Sequence, residues 1–134
     1  MLSNIIQFRV RYAETDQMSF VYHGNYAQYF EMGRIEWLRN LGISYKNMEE
    51  SNIILPVINI NINYHKSAKY DDLLTLKTTL VKKPTARIEF KYEIYNEKKE
   101  LLTTANTTLV FVNSLTNRPT RPPENLLNKL MSIM

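Results

Sequence analysis

The chain has 134 residues, 44% of them hydrophobic, with five prolines, three glycines, nine tyrosines and no cysteine. That length suits one domain with a core of its own, and the missing cysteine excludes a disulfide framework, a thiolate metal site and a cysteine nucleophile. The formal charge of +4 is uneven: residues 1–64 carry five basic and six acidic side chains, residues 65–134 twelve and seven, so the second half favours an anionic partner.

Other classes fall on spacing. Gly24, Gly33 and Gly42 are nine residues apart, so neither of the glycine-rich phosphate loops can be written. No serine stands in a GxSxG elbow, and His23 and His65 are too far apart for a helical metal pair. No metal site is expected. No apolar run approaches the ~20 residues of a membrane span. Met1 to Phe8 lacks the basic-then-apolar order of a secretory signal, so the expected location is cytoplasmic. Without a dense Lys/Arg stripe or a binding motif, nucleic acid is not an expected partner.

The first element is a strand: Ile6, Phe8, Val10 and Tyr12 alternate with Gln7, Arg9 and Arg11. An aperiodic stretch from Ala13 to Gly24 follows. Tyr26, Tyr29, Phe30, Gly33, Trp37 and Leu41 then fall at helical spacing, with Asn25-Tyr26-Ala27-Gln28 resembling a capping box. Glycine in mid-helix costs about 1 kcal/mol relative to alanine, so Gly33 is expected to admit another backbone closely. Gly42 suits the helix end, and Ser44 the cap of a short helix through Glu50.

Four strands come next. Ile58, Ile60, Ile62 and Tyr64 alternate with asparagines; Leu74, Leu76, Thr78 and Leu80 form a second inward face; Ile88, Phe90, Tyr92 and Ile94 form a third; and Leu109 and Phe111 belong to the last. Pro122-Pro123 opens a final short helix with Leu126, Leu127 and Leu130. Short turns predict an antiparallel meander. The helix must bury its aromatic stripe on that sheet, giving a single α+β domain over residues 1–134, without repeats or linkers.

The chemistry concentrates before the long helix. Asp16 lies in the irregular loop, and Tyr22-His23-Gly24 stand at the helix start, where unpaired N–H groups and the positive dipole end suit a developing oxyanion. A carboxylate beside such a site can attack a carbonyl or activate a water; an aspartate there also serves as a turn or cap residue.

The segment Tyr12-Ala13-Glu14-Thr15-Asp16-Gln17-Met18, followed by Val21-Tyr22-His23-Gly24-Asn25-Tyr26, resembles the signature of the 4-hydroxybenzoyl-CoA thioesterase-like acyl-CoA thioesterases, proteins of the hotdog fold. The likeness continues through Tyr29-Phe30-Glu31-Met32-Gly33-Arg34, Leu55-Pro56-Val57, Tyr64, Ala68-Lys69-Tyr70-Asp71-Asp72 and Leu109-Val110-Phe111-Val112, over residues 5 to about 130. It implies a curved five-stranded antiparallel sheet wrapped around the long central helix. It also implies homodimers joined edge to edge, often paired into homotetramers, with active sites at the dimer interface.

By position, the resemblance makes Asp16 the catalytic aspartate, as nucleophile or general base, and the backbone N–H of His23 the oxyanion donor, its imidazole beside the site. Tyr22, Gly24 and Asn25 support that turn. The reaction implied is hydrolysis of an acyl-CoA thioester to a free acid and coenzyme A. Coenzyme A is then a substrate portion, not a retained cofactor, and Lys66, Lys82, Lys83 and Arg87 are candidates for its phosphates by charge and place at strand ends. The alternative is a non-catalytic binder of acyl-CoA or of an acyl carrier protein with the same fold; carrier-linked thioesters are a further substrate class. The sequence departs from the family at Ser19-Phe20, where glycine is usual after Met18, and at Ser67, where proline is usual before Ala68. Ser19-Phe20 places a β-carbon and a ring near the acyl pocket.

Overall fold

The computed structural model describes residues 2–134. Strand β1 (Ser3–Arg9) leads through a loop with two 3-10 turns, Tyr12–Glu14 and His23–Asn25, into α1 (Tyr26–Asn40) and α2 (Tyr45–Glu50). Then follow β2 (Ile53–Ile54), β3 (Val57–Tyr64), β4 (Leu73–Leu80), β5 (Arg87–Tyr95), β6 (Leu101–Val110), β7 (Val112–Asn113), β8 (Arg118–Pro119) and α3 (Glu124–Met131).

The five long strands form one antiparallel sheet in the order β1-β4-β5-β6-β3. This is the expected strand number, but not the expected meander. Only β4-β5-β6 are sequential neighbours. β3 crosses to the far edge and pairs with β6, Tyr64 opposite Thr103, while β1 takes the place beside β4. Turn residues show where strands end, not which neighbours they choose.

α1 packs on the inner face. Phe30 stacks on Tyr92 at 4.5 Å between ring centroids, and Trp37 meets Phe90 edge-on at 5.1 Å; such pairs add about 0.5–1.5 kcal/mol beyond area burial. The inward rows of β4 and β5 are buried as their alternation required. β3 differs: Ile58 and Ile60 are 48% and 40% exposed, because an edge strand has a neighbour on one side only. Its edge is therefore both apolar and unpaired.

Four local expectations change. Tyr12 belongs to a 3-10 turn, not to β1, and is 78% exposed. Asn25 makes no cap; its side chain instead donates to the Glu14 carbonyl at 2.8 Å. Gly33 admits side chains rather than backbone: a Cβ there would lie 2.4 Å from Thr78 Oγ1 and 2.9 Å from Leu76 Cδ2. The last long strand starts at Leu101 and stops before Phe111. Gly42 does take a positive φ of 79° after α1, and Ser44 Oγ accepts from Asn47 N–H at 3.2 Å.

Candidate active site

The loop between β1 and α1 folds back on itself. Asp16 N–H donates to the Phe20 carbonyl at 2.8 Å and Ser19 N–H to the Asp16 carbonyl at 3.0 Å. Within this turn Asp16 Oδ1 accepts from the N–H groups of Met18 (2.8 Å) and Phe20 (3.3 Å). One carboxylate oxygen is thereby fixed, while Oδ2 takes no hydrogen bond among the described residues. Ser19 turns the corner at φ 67°, a left-handed conformation that strains a side-chain-bearing residue.

The loop is tied to its surroundings by Val21 N–H to the Ala68 carbonyl (2.9 Å) and Tyr22 N–H to the Glu14 carbonyl (2.9 Å). The chain then enters the His23–Asn25 turn that runs into α1. Among the described residues, neither His23 N–H nor Gly24 N–H donates to a carbonyl, so two donors stand free at the positive end of a helix. A Cβ at Gly24 would lie 2.6 Å from the exposed Tyr22 ring and push it aside; that ring packs against His23 at 4.4 Å.

These features open into one cleft of about 270 Å³, lined by Asp16, Phe20, Val21, His23, Tyr26, Tyr64, His65, Lys66 and Ser67. Asp16, His23 and Lys66 are thus together, with Tyr22, Gly24 and Asn25 in the adjoining turn. Lys66 also pairs with Glu100, whose carboxyl it holds, with Asn96, below the usual range. Lys82, Lys83 and Arg87 do not join the cleft within one chain. They follow the far end of β4, about 25 Å of strand away at 3.4 Å per residue, and Lys82 faces Glu89 at 3.6 Å.

Several cleft residues carried no sequence signal of a role. Tyr26, Tyr64, His65 and Ser67 reach the cleft through tertiary placement, beside Phe20, and the side chains of Tyr26 and Tyr64 meet edge-on at 5.2 Å. Glu14, unassigned in the sequence, is buried and bonded to Arg11 and Tyr29. Burial alone would raise its carboxyl, but hydrogen bonds from the Arg11 backbone and guanidinium and from the Tyr29 hydroxyl outweigh that and hold it below the usual value. Burial and the same carboxylate push the Tyr29 hydroxyl upward.

The family model described as the Thioesterase superfamily matches residues 18–103. The chain belongs to the thioesterase superfamily. It is 35% identical over 113 residues to the putative acyl-CoA thioesterase YneP of Bacillus subtilis (strain 168), covering 84% of this chain and 82% of that one. With the acyl-CoA thioester hydrolase YbgC of Escherichia coli O157:H7 it shares 28% identity over 119 residues, 89% of each chain. The structure of a DHNA-CoA thioesterase from Staphylococcus aureus superposes with a TM-score of 0.94 at 40% identity, over 99% of this chain and 91% of that one. The hotdog architecture of this thioesterase follows from the same likeness. No helix among its described residues is long and apolar enough to cross a membrane.

Proposed function

We propose that this thioesterase hydrolyses an aromatic acyl-CoA thioester to the free acid and coenzyme A, with Asp16 as the reacting carboxylate. The observation that carries the reading is an aspartate, with one oxygen anchored and one free, sharing a cleft with His23 at a helix start where the N–H groups of His23 and the adjoining Gly24 donate to no carbonyl among the described residues. Asp16 Oδ2 attacks the thioester carbonyl carbon, or takes a proton from a water that does. The carbonyl oxygen gains negative charge and is held by the N–H groups of His23 and Gly24. The C–S bond then breaks and coenzyme A leaves as a thiolate: on the general-base path it takes up the proton that Asp16 removed from water, and on the nucleophilic path a water then cleaves the acyl–Asp16 anhydride, freeing the acid and supplying that proton. A thiolate is a good leaving group, so a carboxylate and preorganised donors suffice; one oxyanion donor is typically worth ~100–1,000-fold in rate.

Two observations favour an aromatic acyl group. Phe20, Tyr26 and Tyr64 line the cleft, suited to stacking on a flat ring, and the S. aureus relative named for DHNA-CoA is 40% identical. The exposed apolar edge of β3 supports a homodimer built by pairing that edge with its copy, since such an edge is otherwise a template for aggregation. Lys66 serves the anionic end of the substrate at the cleft; Lys82, Lys83 and Arg87 lie too far along the strands to reach it within one chain, so a contribution from them requires a second copy joined at β3.

The test is thiol release from short-chain, long-chain and aromatic acyl-CoAs by wild type and Asp16→Asn. Wild type should turn over aromatic thioesters fastest, and the variant should lose roughly 100–10,000-fold in kcat, the range of a general base, with unchanged unfolding. Equal rates in the two proteins would remove Asp16 from the chemistry. Saturable binding without release from any thioester would replace the enzyme with an acyl-CoA binder.

A further inference from the structure

One buried charge in the site loop takes no part in the reaction just described. Glu14 is 8% exposed, the one buried charged side chain among the described residues, and it precedes Asp16 by two positions. Its Oε1 accepts from Arg11 N–H at 2.8 Å and from the Tyr29 hydroxyl at 2.9 Å. Its Oε2 accepts from the Arg11 guanidinium at 2.9 and 3.0 Å. Its backbone carbonyl receives Tyr22 N–H at 2.9 Å and Asn25 Nδ2 at 2.8 Å. One residue therefore joins the chain leaving β1, the Asp16 loop, the turn before α1 and the first turn of α1.

Stability alone does not call for a carboxylate here. Desolvating an ion costs several kcal/mol, and apolar replacements of buried ion pairs are often as stable. A carboxylate accepting from two directions does what no apolar side chain can: it fixes orientation. That matters because the carboxylate ties the chain leaving β1 to α1 through Tyr29, while the turn between them hangs on the backbone carbonyl of the same residue. The His23–Asn25 turn and α1 each begin without a side-chain cap.

We propose that Glu14 is a positioning residue, holding the Asp16 loop at a set distance from the free N–H groups of His23 and Gly24 without touching substrate. The proposal rests on the role given to Asp16 above. Misplacing a reacting group by ~1 Å can cost ~100-fold in rate, whereas binding of the remainder of the substrate is unaffected.

The test compares wild type, Glu14→Gln and Tyr29→Phe. It measures kcat and KM for thiol release, the folded fraction, and hydrogen exchange at the amides of Met18, Phe20 and Tyr22. Glu14→Gln should lower kcat by ~10–100-fold with KM changed by less than about threefold. Tyr29→Phe, which loses one donor and keeps its ring, should lower kcat less. Exchange at the three amides should quicken in both. A kcat per folded molecule equal to wild type overturns the proposal, because a purely structural role would lower only the folded fraction. Unchanged exchange at those amides also overturns it. Should wild type release no thiol, the reaction assigned to the cleft fails instead, and the exchange data alone decide whether Glu14 holds the loop.

Discussion

Alanine at Gly33 sets two effects of opposite sign against each other. In an exposed helix the change would gain about 1 kcal/mol from propensity. Here the new methyl would lie 2.4 Å from Thr78 Oγ1 and 2.9 Å from Leu76 Cδ2, where ordinary contacts are about 3.5–4.0 Å. Both neighbours are buried in β4. Rotating Thr78 about χ1 replaces the hydroxyl with its methyl and relieves nothing, and Leu76 can yield only into an already filled core. Overpacking of this kind typically costs about 1–3 kcal/mol. With two simultaneous clashes the upper part of that range applies, which leaves a net loss of about 1–2 kcal/mol after the propensity gain. Urea unfolding at fixed protein concentration should show the midpoint falling by about 0.5–1 M with an unchanged slope. Adding Thr78→Ala should recover part of the loss, since the pair is in contact and should couple by ~0.5 kcal/mol or more. A midpoint at or above wild type would refute the reasoning, because propensity would then have outweighed packing.

Three further outcomes are expected. Ser19→Gly should stabilise the fold by about 0.5 kcal/mol: relief of left-handed strain at φ 67° exceeds the added freedom of the unfolded chain, and a lower urea midpoint would contradict this. Thr78→Val should stabilise by ~1 kcal/mol, since the buried hydroxyl has no partner among the described residues and its shape is kept; calorimetry would detect the rise in Tm. The Glu14 carboxyl is lowered from 4.5 by its hydrogen bonds. Its contribution is therefore full above pH 4.5 and lost as pH falls through the lower folded value. The Tm gap between wild type and Glu14→Gln should narrow over that acid range, and a gap that widens there would reverse the assigned sign.

What the sequence revealed, and what it did not, divides along a physical line. Periodicity reports which way a side chain faces, so α1 and the buried rows of β4 and β5 were legible. Pairing is not local: nothing in β3 says that it will lie beside β6 rather than β4, and its exposed isoleucines follow from that choice. Tyr12 continued an alternating pattern because alternation cannot register where the sheet stops. The Asp16–His23 neighbourhood was visible as a motif, since loop and helix start are contiguous in the chain. The role of Glu14 within that motif was not, because its burial depends on Tyr29 arriving from α1. Lys82, Lys83 and Arg87 looked equivalent to Lys66 by charge, yet only the fold separates them by the length of β4.

The crossed strand order also has a consequence for synthesis. Ser3 meets Thr79 across 76 residues, and His65 meets Thr104 across 39. Both edges of the sheet therefore wait for partners made much later, and loops that long slow closure. The cleft sits where the chain leaves β1 and β3, so a nascent chain carries every residue of the motif long before it owns a site. Until β6 has left the ribosome, the apolar strand β3 has no neighbour of its own and lies outside any finished sheet. Self-association before that moment would join unfinished chains, so folding of this thioesterase is ordered by the position of one late strand.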